Sequence, residues 1–221
     1  MDFETIAEGY ESWYETPKGR RADRLEKALL DKLLERLPEV RSALEVGCGT
    51  GHFTRWLAGE GSWAVGVDLS SAMLVQAQRL NAPGRCPYLV GDGLTLPFPD
   101  LAFDVVALIT TLEFVAQPER LLAEAGRVAR RGVLLGVLNR YSLLALRRRW
   151  RSLREPTIYD QAHFFTVGEL RQLARRALGV RLQGLVWRTT LLHHPWPNAD
   201  ARLLWGGFVG MLLELKGEEN G

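Results

Sequence analysis

The chain has 221 residues, 47% of them hydrophobic and 24% charged, which is the make-up of a globular domain with a sizeable core and excludes a disordered chain. A net charge of +2 is mildly basic and says little about nucleic acid, which calls for a clustered basic face. Two cysteines, Cys48 and Cys86, are too few for a four-cysteine zinc site or a disulfide framework, and no metal is expected.

The opening Met1-Asp2-Phe3-Glu4 is acidic with no apolar run behind it, so no secretory leader is expected. No apolar stretch reaches the roughly 18 residues of a membrane span, and a cytoplasmic protein without a transmembrane segment follows. The first 37 residues read as helical. Leu25, Ala28, Leu29, Leu33 and Leu37 recur at helical spacing, and Pro38 closes the segment. Ala43 to Gly47 is a short first strand. A helix from about Gly51 buries Phe53, Trp56 and Leu57 on one face. Trp63 to Val67 is a second strand ending at Asp68, and Ser70 or Ser71 caps a helix from Ala72 to about Leu80.

Pro87 to Val90 forms a third strand, ending near Asp92. Phe103 to Ile109 is an almost continuous apolar run, as for a central parallel strand covered on both faces. A helix from Pro118 to Val128 leads to a strand from Gly132 to Leu138. Beyond Asn139 the pattern changes. A basic segment, Leu143 to Arg151, runs into an irregular stretch to Phe165, and its Arg147-Arg148-Arg149-Trp150-Arg151 run reads as a solvated helix face. Thr166 caps a helix to about Leu178, and two last strands fit Val180–Arg188 and Phe208–Lys216. The alternation predicts an α/β fold: a Rossmann-like, doubly wound, mostly parallel sheet with helices on both faces.

Three places in this order carry chemistry. The first strand runs into Glu45-Val46-Gly47-Cys48-Gly49-Thr50-Gly51. Glycines at alternate positions let the backbone turn tightly and approach a ligand, and the next helix aims free N–H groups at that turn. The spacing is not the G-x-G-x-x-G of a pyrophosphate site. It suits a smaller anion, such as the carboxylate of an amino acid moiety. Asp68, ending the second strand, stands where such sheets place an acid against ribose hydroxyls. Asp92, within Gly91-Asp92-Gly93, can accept a hydrogen bond from an adenine amino group, and Leu69 and Met73 can wall the ring. Asp104 opens its strand at the opposite end, where a structural role is expected.

These segments, together with Leu96-Pro97-Phe98 and Phe103-Asp104-Val105-Val106, resemble the class I S-adenosylmethionine (SAM)-dependent methyltransferases. Within them they are closest to the small-molecule branch related to ubiquinone and menaquinone biosynthesis enzymes. The resemblance is specific from about Ala43 to Leu138. It implies one methyltransferase domain: a helical lid over 1–37, a SAM-binding core over 43–138, a substrate-side insertion over 139–165, and a C-terminal helix and strands over 166–216. It further implies a seven-stranded sheet with an antiparallel last strand.

By the same resemblance Glu45 orients the glycine turn, and Gly47, Gly49 and Gly51, with Cys48 among them, line the methionine part of SAM. Asp68 holds the ribose, Asp92 and Gly93 face adenine, and Thr110, Thr111 and Leu112 lie near the transferring methyl. Tyr10 and Tyr14 belong to the lid, where aromatic faces can stabilise a sulfonium; Trp13 and Phe114 are further candidates. S-adenosylhomocysteine (SAH) would be the product. The Asp/Asn-Pro-Pro-aromatic motif of DNA adenine and glutamine N-methyltransferases is absent after the fourth strand, where Thr110-Thr111-Leu112-Glu113-Phe114 stands.

The expected acceptor is a small molecule, taken over the carboxyl ends of the strands. His163, His193 and His194 are weak candidates for a general base. A non-catalytic SAM-binding module and an RNA methyltransferase remain as alternatives, and a nicotinamide-dependent oxidoreductase is disfavoured by the glycine spacing.

Overall fold

The computed structural model describes residues 3–59, 62–82, 85–141, 162–190, 204 and 206–217. The helical opening is three pieces, α1 (Phe3–Tyr10), α2 (Ser12–Glu15) and α3 (Pro17–Leu34). Thr16 breaks it because a residue before proline is pushed out of the helical region; its φ of −70° and ψ of 152° are extended. The Thr16 hydroxyl then accepts from Gly19 N at 3.0 Å and caps α3, with Pro17 at the first helical position.

The far end of α3 stops at Leu34, short of the expected Leu37. A helix continued into Pro38 would drive its ring into the Leu34 carbonyl. The chain instead tightens, with Arg36 N bonded to Leu33 O and Leu37 N to Leu34 O. The buried stripe of α3 is Ala22, Glu26, Leu29, Leu30 and Leu33. It is rotated from the expected one, so that Ala28 is exposed.

Seven strands follow: β1 (Ser42–Val46), β2 (Trp63–Asp68), β3 (Tyr88–Val90), β4 (Phe103–Ile109), β5 (Ala129–Leu138), β6 (Leu182–Thr190) and β7 (Phe208–Leu215). They form one sheet in the order β3-β2-β1-β4-β5-β7-β6. Leu44 pairs in parallel with Val65 on one side and Val106 on the other. The last strand, β7, is antiparallel to both neighbours and lies between β5 and β6. The connecting helices are α4 (His52–Leu57), α5 (Ser71–Arg79), α6 (Pro118–Val128) and α7 (Val167–Leu178). Helix α7 begins with a reciprocal cap in which Thr166 and Glu169 satisfy each other's backbone N–H groups.

Side chains alternate across each strand, so the sheet has two cores. Leu44, Val46, Val106 and Leu108 join α6 and α7 through Leu121, Leu122, Leu170 and Leu173. Ala43, Val105, Ala107 and Ile109 face α3 and α4 through Leu29, Leu30, Leu33, Phe53 and Leu57. Glu45, between Leu44 and Val46, therefore points to the α3–α4 side, and it is buried there.

Asp104 closes the other end of β4, as its position suggests. Its Oδ2 accepts from Arg41 N at 2.9 Å and Ser42 N at 3.2 Å, and Arg130 and Arg131 approach Oδ1 at 3.1 and 3.3 Å. Asp104→Ala is expected to lower the unfolding free energy by about 3 kcal/mol, because buried donors lose their acceptor. Denaturant titration measures this, and a change below about 0.5 kcal/mol would refute the structural role.

Among the described residues no helix is long and apolar enough to cross a membrane. Arg147–Arg151 lies outside the described residues. The 139–165 segment is described at its two ends, where Asn139 and Phe165 form a parallel bridge.

Candidate active site

The strand order reverses at β1 and β4, and open sheets of this kind take ligands at that point, outside the carboxyl ends of the strands. Here the chain leaves β1 with Gly47, Gly49 and Gly51 all at positive φ, 73°, 53° and 75°. The neighbours differ. A Cβ on Gly47 would fall 2.3 Å from the Thr111 methyl, and one on Gly51 would fall 2.3 Å from the Tyr88 hydroxyl. A Cβ on Gly49 would meet nothing within 4 Å. Gly47 and Gly51 are thus required by packing, whereas Gly49 faces open space.

Asp68 ties the turn to the end of β2. Its Oδ2 accepts from Gly49 N at 2.7 Å and its Oδ1 from Ser70 N at 2.9 Å. The cap of α5 is Ser70, whose hydroxyl accepts from Met73 N at 3.2 Å, and not Asp68. Asp92 folds the loop after β3 by accepting from Leu94 N at 2.9 Å. Thr110 ends β4 at a φ of 50°, a strained conformation for a β-branched residue. Its N donates to Gly136 O at 2.6 Å. The Thr111 hydroxyl donates to Val46 O at 3.1 Å, joining the ends of β1 and β4.

These pieces enclose a cavity of about 540 Å³, the size range of small-molecule and cofactor sites. Tyr10, Tyr14, Glu45, Gly47, Cys48, Gly49, Asp68, Leu69, Met73, Asp92, Gly93, Thr110 and Thr111 all line it. Two expected members stand elsewhere. Gly51 turns toward Tyr88. Leu112 is fully buried in the α6–α7 core, because the turn Leu112–Phe114 is a 3-10 helix that rotates it inward and leaves Phe114, Val115 and Ala116 on the cavity. Trp13 packs edge-on against Tyr14 and is 43% exposed; it is not among the lining residues.

His52, Thr50 and Phe53 also line the cavity, and the sequence reading passed over them. His52 stacks on Tyr14 with ring centroids 3.7 Å apart. Its Nε2 lies 2.7 Å from Asp23 Oδ1, and its Nδ1 lies 3.6 Å from Glu11 Oε2. Glu11 Oε1 also accepts from Thr50 Oγ1 at 2.7 Å and from Arg55 at 3.0 Å. Burial acts to raise the Glu11 carboxyl, but bonds to His52, Thr50 and Arg55 bring it down to about 2. Burial acts to lower the His52 imidazole, yet Asp23 and Glu11 outweigh it and leave it raised. The one sequence signal for His52 was its place directly after the glycine turn. Nothing local marks Glu11 or Asp23.

Glu45 is the reverse case. Burial pushes its carboxyl up to about 8, even though Thr54 donates its hydroxyl to it. The folded protein thus keeps a proton that the unfolded chain loses above about 4.5. The stability this group contributes is full below 4.5 and is lost as pH rises through 8. Glu45→Gln is expected to flatten that limb of the thermal-unfolding profile relative to wild type; parallel profiles would place the carboxyl outside this burial. Burial also raises the Cys48 thiol and the Tyr14 phenol, so both stay protonated.

His163 is not brought to the cavity. Its N donates to Glu113 O at 2.7 Å, its Nε2 lies 3.0 Å from an Arg140 nitrogen, and its ring meets Phe165 edge-on. It therefore fastens the 139–165 segment to the loop after β4. His193 and His194 lie outside the described residues.

The cleft fits a ligand with an amino acid end and a nucleoside end. Gly49 leaves open space beside the turn, and the Asp68 carboxylate lies on the cavity wall. A family model described as a methyltransferase domain matches residues 44–137. A malonyl-(acyl-carrier protein) O-methyltransferase from Enterobacter lignolyticus is 30% identical over 189 residues, 84% of this chain and 70% of that protein. An uncharacterized protein of Methanocaldococcus jannaschii is 27% identical, covering 78% of each chain. The crystal structure of a SAM-dependent methyltransferase from Thermotoga maritima, described as a possible histamine N-methyltransferase, has a TM-score of 0.72 at 27% identity, covering 97% of this chain and 98% of that one. On these likenesses the chain belongs to the class I SAM-dependent methyltransferases, and S-adenosylmethionine is its cofactor.

Proposed function

We propose that the protein transfers a methyl group from SAM to a small-molecule acceptor bound between the N-terminal helices and the loop after β4. The observation that carries this reading is the largely apolar cavity over the carboxyl ends of β1, β2 and β4, roofed by Tyr10 and Tyr14. SAM supplies an electrophilic methyl on a sulfonium. In this reading Gly47, Cys48 and Gly49 receive the methionine end, Asp68 accepts hydrogen bonds from the ribose diol, and Leu69, Met73, Asp92 and Gly93 hold the adenine. Tyr10 and Tyr14 keep water out and present ring faces to positive charge. The chain's contribution to rate is then alignment of two bound reactants and exclusion of water.

Among the described residues His52 is the imidazole on the cavity wall, and both its nitrogens face carboxylates. It is poorly placed to take a proton. This favours an acceptor that arrives already nucleophilic, such as a carboxylate, over one that must be deprotonated on the enzyme. The malonyl-(acyl-carrier protein) O-methyltransferase relative is in keeping with an oxygen acceptor. Calorimetric titration with SAM, SAH and NADH is the first test, followed by a screen of carboxylate and amine acceptors for SAH release. Micromolar binding of SAM and SAH without NADH is expected. Methylation of RNA in preference to every small molecule would overturn the acceptor assignment.

A further inference from the structure

The ion network around His52 is used by none of the steps above, yet it joins parts of the chain that are distant in sequence. Glu11 comes from the turn between α1 and α2, Tyr14 from α2, Asp23 and Lys27 from α3, and His52 and Arg55 from α4. Tyr10 and Tyr14, which roof the cavity, sit on the two short helices flanking Glu11. Helices of eight and four residues hold little structure by themselves. Their placement must come from what they touch.

We infer that His52 is a positioning residue that clasps the N-terminal helices over the cleft, through its stack on Tyr14 and its paired contacts with Asp23 and Glu11. The Nε2 contact at 2.7 Å fixes the ring to α3, the Nδ1 contact at 3.6 Å faces the α1–α2 turn, and the stack at 3.7 Å lies flat under Tyr14. Thr50 and Arg55 complete the hold on Glu11 from the glycine turn and α4. The clasp thus links the roof to the wall that Gly49 and Asp68 form. That it governs cofactor retention rests on the reading that SAM occupies this cavity.

Carboxylates facing both ring nitrogens favour the imidazolium, so the clasp depends on pH. The groups that face His52 are Glu11, Tyr14, Asp23 and Lys27 from the N-terminal helices, Arg55 from its own helix and Glu45 from β1. Lys27 Nζ lies 2.9 Å from both Asp23 Oδ1 and His52 Nε2. It opposes the imidazolium, while Asp23 and Glu11 favour it, and the net direction is upward. The clasp is therefore intact below the raised value and loosens as pH rises through it. Glu45 loses its proton in the neighbourhood of 8. A new negative charge there favours the ammonium of SAM or SAH, so its effect on binding has the opposite sign.

The test uses His52→Gln, which cannot carry charge, and His52→Arg, which keeps a planar cation able to stack and to pair with both carboxylates at any pH. Tryptic cleavage at Lys18, Arg20 and Arg21, all exposed in the first turns of α3, reads the clasp without ligand. Wild type should be protected at pH ~6.5 and cleaved faster at pH ~9. His52→Gln should be cleaved fast at both and His52→Arg slowly at both. SAH affinity, read by calorimetry, should be roughly ten-fold weaker in His52→Gln at the lower pH, the loss expected of one charge-assisted contact.

Equal protection of wild type and His52→Gln at both pH values would overturn the clasp. If His52→Gln fails to fold, Glu11→Gln reads the same contact from the lid side and should show the same faster cleavage. Failure of wild type to bind SAH, with its pH-dependent protection intact, would sink the cofactor placement and leave the clasp standing.

Discussion

Asp68→Ala is expected to weaken SAM and SAH binding by roughly 100-fold or more while the protein remains folded. Two losses combine. Hydrogen bonds to a charged acceptor contribute about 1.5–3 kcal/mol each, and a ribose diol would make two. The same carboxylate also holds Gly49 N at 2.7 Å and Ser70 N at 2.9 Å, so its removal frees the turn proposed to receive the methionine end. Asp68→Asn keeps an oxygen acceptor and should recover part of the affinity. Calorimetric titration of both variants, with circular dichroism as the folding check, separates the outcomes. Unchanged affinity in a folded Asp68→Ala protein would show that the ribose lies elsewhere.

Substitution within the glycine turn should divide by position. Gly47→Ala is expected to destabilise the fold by about 2–5 kcal/mol, since it combines a left-handed backbone cost of about 1–2 kcal/mol with overpacking of about 1–3 kcal/mol. The overpacking arises because the new Cβ would meet the Thr111 side chain at 2.3 Å. A Gly47→Ala, Thr111→Ser double variant removes the methyl at 2.3 Å but leaves the hydroxyl oxygen at 2.6 Å, and should recover part of the overpacking share. Gly49→Ala meets no neighbour within 4 Å, so its folding cost should stay near the backbone share of about 1–2 kcal/mol. Its Cβ instead enters the space assigned to the ligand, and SAM binding should be lost. Thermal melts and titrations of the pair would show crossed effects; equal effects on both properties would mean that Gly49 does not face the ligand.

Much of this site was legible because its signals are local. The run from Glu45 to Gly51 declares a tight turn after a buried strand, and all three glycines do take positive φ. Asp68 follows directly from a strand end, and the reciprocal cap of Thr166 and Glu169 starts its helix at the residue the pattern indicates. Leu112 was illegible for a physical reason. Three residues beyond a strand end, whether a side chain faces cleft or core depends on a single turn of 3-10 helix, which puts Leu112 inside and Phe114 on the cavity. The buried face of α3 failed similarly, because Glu26 is drawn inward while Ala28 is left in solvent.

The strand-helix alternation, the all-buried character of Phe103–Ile109, the glycine turn and the acids at the ends of the strands could all be read from the residue pattern. Each is written in residues a few positions apart, where backbone sterics and side-chain periodicity act. Long-range packing sets the insertion of β7 between β5 and β6, the division of the helical opening into three, and the meeting of Glu11 and Asp23 around the His52 imidazole. Those contacts join residues 29 and more positions apart, and their partners are fixed by how helices pack on the sheet, which no local pattern encodes.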